Sequence, residues 1–133
     1  NSYLQSLDIN DYDVSFVKGL SLEDGCATLT KFSAYLIAKG IEYINETNKF
    51  LTKNLVCGGG RKNIFLIENI NKFLNSKKLY LENIDNYELE GDFIESQGFA
   101  YLAIRSYLGL PISFPSTTGC KAPTKSGTYN KNF

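Results

Sequence analysis

The sequence contains no histidine, no tryptophan and no methionine. Without histidine it has no imidazole for acid–base catalysis and no zinc site of mixed cysteine and histidine ligands. Because methionine is absent, we expect that Asn1 is not a natural translation start. The three cysteines, Cys26, Cys57 and Cys120, are odd in number, far apart and without CxxC spacing. This usage favours a reduced, cytoplasmic protein over a disulfide-stabilised secreted scaffold.

An excess of either charge is also missing, as are long apolar runs. Fourteen Lys and Arg residues balance fourteen Asp and Glu residues, so the formal net charge is zero. This balance argues against nucleic acid or an anionic membrane as a partner held by bulk electrostatics. No apolar run approaches the ~18 residues of a transmembrane helix, and we expect no signal peptide. The remaining composition, 43% apolar and 21% charged over 133 residues, is that of one globular domain at most.

The first strong pattern predicts a long helix over residues 21–47. Ser21-Leu-Glu-Asp24 is a capping-box signature, and the apolar residues after it recur at helical spacing. They form a stripe through Leu22, Cys26, Leu29, Phe32, Leu36, Gly40 and Tyr43. Because a glycine stands on this stripe at Gly40, we expect a neighbouring element to approach the helix closely there.

Two short apolar runs and two more helical patterns follow. Residues 54–57 and 79–81 predict short buried strands, the first of which leads into three glycines. A second helix is predicted to begin near Asn63, a good N-cap residue, and a third to span roughly 92–108. The order helix–strand–helix–strand–helix predicts a crossover connection and a parallel strand pair, and hence an α/β fold in which helices dominate.

The two ends of the chain are weakly patterned. Three residues near the N-terminus are spaced for a short helix: Tyr3, Leu4 and Leu7. The tail is rich in Pro, Ser, Thr and Gly, which predicts loop with one short strand near Thr128-Tyr129. Within it, Pro115-Ser-Thr-Thr-Gly119 offers hydroxyl groups and a glycine, which suit either a phosphate-binding loop or an ordinary turn.

The first candidate site is the segment Val56-Cys-Gly-Gly-Gly-Arg-Lys-Asn63. A strand, a run of glycines and a helix start form a geometry that receives nucleotides, because bare backbone approaches a ligand closely and free N–H groups favour polar or anionic groups. The segment is neither a Walker A loop nor a Rossmann fingerprint, since GxxxxGK[ST] is absent and Asn63 replaces the third glycine of GxGxxG. A tight strand-to-helix turn explains the same residues, and both interpretations stay open. Cys57 is expected to be buried in the strand and inert.

The second candidate is an acidic stretch that contains no cation between Lys78 and Arg105. Its members are Glu82, Asp85, Glu88, Glu90, Asp92 and Glu95. Negative charge at a helix start is favourable by about 0.3–1 kcal/mol, which explains most of them. Glu95 is expected one turn inside the helix, where its carboxylate could accept hydrogen bonds from a sugar; a glycosidase-type carboxylate pair is the alternative. For Arg105 we expect a structural role, either pairing with a buried carboxylate or reaching the surface.

Three stretches together resemble the anhydro-N-acetylmuramic acid kinase family. They are Leu22-Glu-Asp-Gly-Cys-Ala-Thr-Leu-Thr30, residues 56–63, and residues 95–111 (ESQGFAYLAIRSYLGLP) followed by residues 115–119. The resemblance runs over nearly the whole chain, and the pattern departs at Arg61, where a small residue is usual. It implies an actin-like (ribonuclease H-like) ATPase fold. Residues 1–133 would then be a single fragment, the C-terminal part of the second ATPase lobe.

The resemblance also implies a function. Such a kinase uses ATP and water, with Mg²⁺, to convert 1,6-anhydro-N-acetylmuramic acid to N-acetylmuramic acid 6-phosphate in murein recycling. Gly58, Gly59, Gly60 and Asn63 would lie at the adenosine end of the ATP cleft, and Glu95 would reach the sugar. The catalytic Asp and the phosphate loop are expected upstream, so we expect no catalytic or metal-binding residue here and no activity from these residues alone. A homodimer is a further assembly that the resemblance allows.

Two other functions stay open from the sequence. A split or decaying gene would leave a non-catalytic interaction module, because a partial ATPase fold has an unpaired sheet edge that promotes association. The other is a different sugar kinase of the same superfamily, although residues 95–111 argue against it.

Overall fold

The computed structural model describes residues 11–48, 53–128 and 130. They form an α/β fold in which helices dominate, as predicted. The elements in chain order are α1 (Leu22–Thr47), β1 (Asn54–Val56), α2 (Ile64–Leu74), β2 (Leu81–Asn83), α3 (Ile94–Tyr107) and the one-turn α4 (Pro115–Thr118). The chain separates into two compact units that divide between Asp92 and Phe93. The helix predicted at Tyr3, Leu4 and Leu7 lies outside the described residues.

The start of α1 is confirmed by its cap. The Ser21 hydroxyl oxygen accepts a hydrogen bond from the backbone N–H of Asp24 at 3.0 Å. This bond pairs one of the N–H groups that the first turn of a helix leaves without an intrahelical partner. The helix then runs for 26 residues to Thr47.

The core lies between α1 and α2 and differs from the predicted stripe. Ala34 and Ala38 of α1 are buried against Ile70 and Leu74 of α2. Two small side chains one turn apart let the helices approach closely, so the apolar contacts come from the larger residues of α2. The expected close approach at Gly40 is wrong, because that residue is exposed and a Cβ there would meet nothing within 4 Å.

The two strands form a parallel pair around the α2 crossover, as predicted. Asn54 pairs with Leu81, so β2 begins two residues later than expected. The shift arises because Leu79 still closes α2, its N–H donating to the Leu74 carbonyl at 3.3 Å. Asn71 then fixes the strand start, since its Oδ1 accepts from the Leu81 N–H at 2.7 Å.

The smaller unit holds α3 and the tail. Gly109, at φ +65°, ends the helix in the left-handed region, and the Leu110 N–H donates to the Arg105 carbonyl at 2.8 Å. The tail makes an antiparallel bridge between Ser113 and Thr124 instead of the strand expected at Thr128, whose neighbour Tyr129 lies outside the described residues. Within the described part of the chain, no helix combines the length and apolar character needed to cross a membrane.

Candidate functional site

Three glycines follow β1 and turn the chain toward α2. Gly58 has φ +76°, a backbone conformation that strains any residue with a Cβ. Its N–H donates to the Gly91 carbonyl at 2.9 Å. Gly59 and Gly60 are exposed and open a 3-10 turn that ends at Lys62. The predicted sequence of strand, glycine turn and helix is therefore confirmed.

Asn63 caps α2, as predicted. Its Oδ1 accepts from the Leu66 N–H at 3.1 Å. Among the described residues, no acceptor pairs with the Asn63 Nδ2 or with the N–H groups of Gly59 and Gly60. The loop therefore presents several hydrogen-bond donors to solvent at a helix start, which is where a polar or anionic ligand group is favoured.

Arg61 joins this glycine loop to the acidic stretch, which the sequence interpretation did not anticipate. Its Nε donates to Asp85 Oδ2 at 2.9 Å, and its Nη1 donates to Asp92 Oδ1 at 2.6 Å and to the Gly58 carbonyl at 2.9 Å. Lys62 Nζ donates to the second oxygen of Asp92 at 2.7 Å. Asp85 and Asp92 thus pair with the cations of the glycine loop, a role that adds to the predicted helix-start position, since Asp92 also directly precedes the N-cap of α3. The sequence signal for this pairing was the adjacent cations Arg61 and Lys62, together with the acidic stretch that has no Lys or Arg of its own.

These ion pairs shift the pKa of each partner. The hydrogen bond from Arg61 is the main cause that lowers the pKa of Asp92, with Lys62 second. The same guanidinium lowers the pKa of Asp85, aided by the Gly91 N–H, which donates to Asp85 Oδ1 at 2.8 Å. The hydrogen bonds to Asp92 and Asp85 in turn raise the pKa of Arg61.

We expect the larger unit to lose stability in acid because of these carboxylates. Their pKa values are lower in the folded state than in the unfolded chain, where an Asp titrates near pH ~3.9. The stabilisation is therefore complete above about pH 5 and is lost as the pH falls toward the folded pKa. Urea unfolding between pH 7 and pH 3.5 should show a gap between wild type and Asp92→Asn that narrows as the pH falls. A gap of constant size across this range would contradict the assignment.

Glu95 belongs to the smaller unit and is exposed. Because α3 begins at Ile94, Glu95 lies in the first helical turn rather than one turn further in. A carboxylate there is favoured by the helix dipole, as the other acids were expected to be. Within the described residues it makes no hydrogen bond or ion pair, so its carboxylate is available to a ligand.

Two single residues differ from their predicted surroundings. Cys57 is exposed, and its predicted burial is wrong because β1 ends at Val56, just before the turn. Arg105 has a structural role, as expected, but its partner is not a carboxylate. Its Nε donates to the Pro111 carbonyl at 2.8 Å and its Nη1 to the Tyr101 hydroxyl at 3.2 Å, which holds the chain after α3.

The described residues contain no cluster of three metal-ligating side chains. No three of their Asp, Glu and Cys side chains are grouped closely enough to hold a metal ion. The Mg²⁺ that the resemblance implies for the complete kinase thus finds no set of three close protein ligands among these residues.

Comparison with known proteins gives the family. A family model described as "Anhydro-N-acetylmuramic acid kinase" matches residues 6–131. A protein of that name from Pelagibacter ubique is 55% identical over 130 residues, covering 96% of this chain and 34% of the relative. Another of that name, from Zymomonas mobilis, is 40% identical over 123 residues, covering 92% and 32%. The chain thus spans about a third of the length of the curated relatives it matches. With a match over almost all of its length, and an α/β arrangement consistent with an actin-like ATPase, the chain belongs to the anhydro-N-acetylmuramic acid kinase family.

Proposed function

We propose that the complete protein carrying this chain phosphorylates anhydro-N-acetylmuramic acid with ATP in the cytoplasm. In this proposal the present segment supplies the adenosine side of the ATP cleft and part of the sugar site. The observation that carries it is the exposed glycine loop between β1 and α2, with unpaired donors on Gly59, Gly60 and Asn63. Family membership over residues 6–131 supports the reaction class.

The charges around the loop favour the adenosine end over the triphosphate end. Both cations of the loop, Arg61 and Lys62, are already paired with Asp92, and Arg61 is paired with Asp85 as well. A triphosphate would need cations or a metal ion to balance its charge. The neutral donors of the loop suit the ribose hydroxyls and the base of adenosine, which are uncharged.

The chemistry itself is proposed to depend on the remaining two thirds of the protein. Enzymes that transfer a phosphoryl group act by positioning the reactants and by stabilising the charge with a metal ion. The described residues contain no cluster of three metal ligands, and we propose that Mg²⁺ and the base for the attacking water come from elsewhere in the protein. This segment would bind and orient, and would be inactive alone.

Steady-state kinetics of the complete protein test the two halves of the site separately. Asn63→Ser keeps a side-chain oxygen for the helix cap but removes the amide donor, so the KM for ATP should rise while the KM for the sugar stays unchanged. Glu95→Gln should give the opposite split, because it removes only the carboxylate charge proposed to meet the sugar. Asn63→Ala is the wrong probe, since losing the cap costs about 1 kcal/mol of stability by itself. The placement would be contradicted if Asn63→Ser left the KM for ATP unchanged and Glu95→Gln left the KM for the sugar unchanged.

The exposed surface of α3 is compatible with the alternative of a non-catalytic interaction module. Helix α3 has no buried residue, and its Phe99 and Tyr107 side chains are 65% and 68% exposed. The same exposure is expected of a helix that packs against the rest of a larger kinase. Formation of the sugar 6-phosphate by the complete protein would support the kinase, and its absence with both substrates and Mg²⁺ present would favour the module.

A further inference from the structure

One side chain holds the glycine loop to a distant turn of the same unit. The Arg61 guanidinium contacts the Gly58 carbonyl in its own loop and two carboxylates that lie 24 and 31 residues further along the chain, Asp85 and Asp92. The side chain of Arg61 is only 6% exposed. A second link runs through the backbone, where the Gly58 N–H donates to the Gly91 carbonyl. We call Arg61, its three partners and Gly91 the Arg61 clamp.

We propose that Arg61 is a positioning residue for nucleotide binding, an inference that rests on the proposed function. Three consecutive glycines have no side chains with which to pack and lose the most conformational entropy when they become ordered. The clamp restrains the glycine loop through contacts with residues that lie outside the loop. It fixes Gly58 at both its N–H and its carbonyl, which sets the direction of the donors on Gly59 and Gly60.

The geometry points to an indirect role rather than contact with ATP. The guanidinium is nearly buried and its charge is balanced by two carboxylates. The clamp also leaves no space for a side chain at Gly91, because a Cβ there would lie 2.5 Å from Arg61 Nε and 2.8 Å from Asp85 Oδ1. A residue larger than glycine at position 91 would therefore displace the guanidinium without changing any charge.

Binding of ATP to the complete protein, measured by calorimetry alongside both KM values, tests this role. Arg61→Ala should raise the Kd for ATP about tenfold and leave the KM for the sugar unchanged. Arg61→Lys should fail to restore binding, because an ammonium is a point charge and cannot make the planar set of hydrogen bonds. Asp92→Asn and Gly91→Ala should weaken ATP binding in the same direction. Lys77→Ala, which removes an exposed ion pair to Glu46 away from the loop, is the matched control and should change nothing.

A double variant separates positioning from direct contact. If Arg61 acts through the clamp, Arg61→Ala combined with Asp92→Asn should bind ATP no more weakly than Arg61→Ala alone. The proposal would be overturned if the losses of ATP affinity in the two single variants added in the double variant, if Arg61→Lys restored binding, or if Asp92→Asn bound ATP more tightly. Each of these results would indicate that Arg61 contacts the phosphates directly. An unchanged Kd for Arg61→Ala would overturn it as well.

The failure of this inference is distinguishable from failure of the proposed function. If Asn63→Ser leaves the affinity for ATP unchanged, the adenosine site itself is misplaced, whatever Arg61 does. If Asn63→Ser weakens binding and Arg61→Ala does not, the site stands and only the clamp is wrong.

Discussion

Gly59→Leu is expected to weaken ATP binding by the complete protein about tenfold or more while leaving its fold intact. The backbone at Gly59 does not need glycine, because its φ is not positive and a Cβ would meet nothing within 4 Å. A leucine there should therefore change the free energy of unfolding by less than about 0.5 kcal/mol. It would, however, fill the space through which the proposed nucleotide approaches the loop, and overpacking of this kind costs about 1–3 kcal/mol.

Calorimetric titration with ATP and urea unfolding together check this expectation. Gly40→Leu is the matched control, because Gly40 is also exposed with open space around its Cβ position. That substitution should raise helix stability by up to about 1 kcal/mol and leave ATP binding unchanged. Unaltered ATP affinity in Gly59→Leu would show that the nucleotide does not approach this loop.

Leu74→Ala is expected to produce the largest loss of stability, about 2–5 kcal/mol. Leu74 is fully buried at the end of α2, packed with Ala34, Ala38 and Ile70. Its fully buried neighbours on α1 are alanines, which cannot extend to fill the cavity left behind. The glycine loop leads into the other end of α2, at the N-cap Asn63. ATP binding should therefore weaken as a consequence of the lost stability.

The urea midpoint of the complete protein measures this loss. Leu22→Ala is the control, because Leu22 is 79% exposed at the start of α1 and its truncation should cost less than about 0.5 kcal/mol. Equal losses for the two variants would mean that the contact between α1 and α2 is not the core of this unit.

Those parts of the structure that depend on neighbouring residues were predictable from the sequence. Ser21 and Asn63 both cap helices as expected, because a cap needs only a side-chain oxygen and an N–H two or three residues later. The parallel strand pair followed from element order and the handedness of crossovers. The start of β2 was missed by two residues, since it depends on Asn71 of the preceding helix.

Features that depend on distant residues were not predictable. Large apolar side chains occur on several faces of α1, with Tyr35, Ile37 and Ile44 all exposed, so periodicity alone selected the wrong face. The pairing of Arg61 with two carboxylates 24 and 31 residues away left no local signal of which acids it would choose. For Glu95, a two-residue change in the start of α3 was enough to alter its position in the helix.

Hydrogen exchange of the complete protein, read by mass spectrometry with and without ATP, tests the central claim most directly. Bound adenosine would engage the N–H groups of Gly59 and Gly60 and order the start of α2. We expect ATP to slow exchange more in peptides that cover residues 57–66 than in peptides that cover α1. If ATP slows exchange elsewhere in the protein and leaves residues 57–66 unchanged, this loop is not a wall of the nucleotide site.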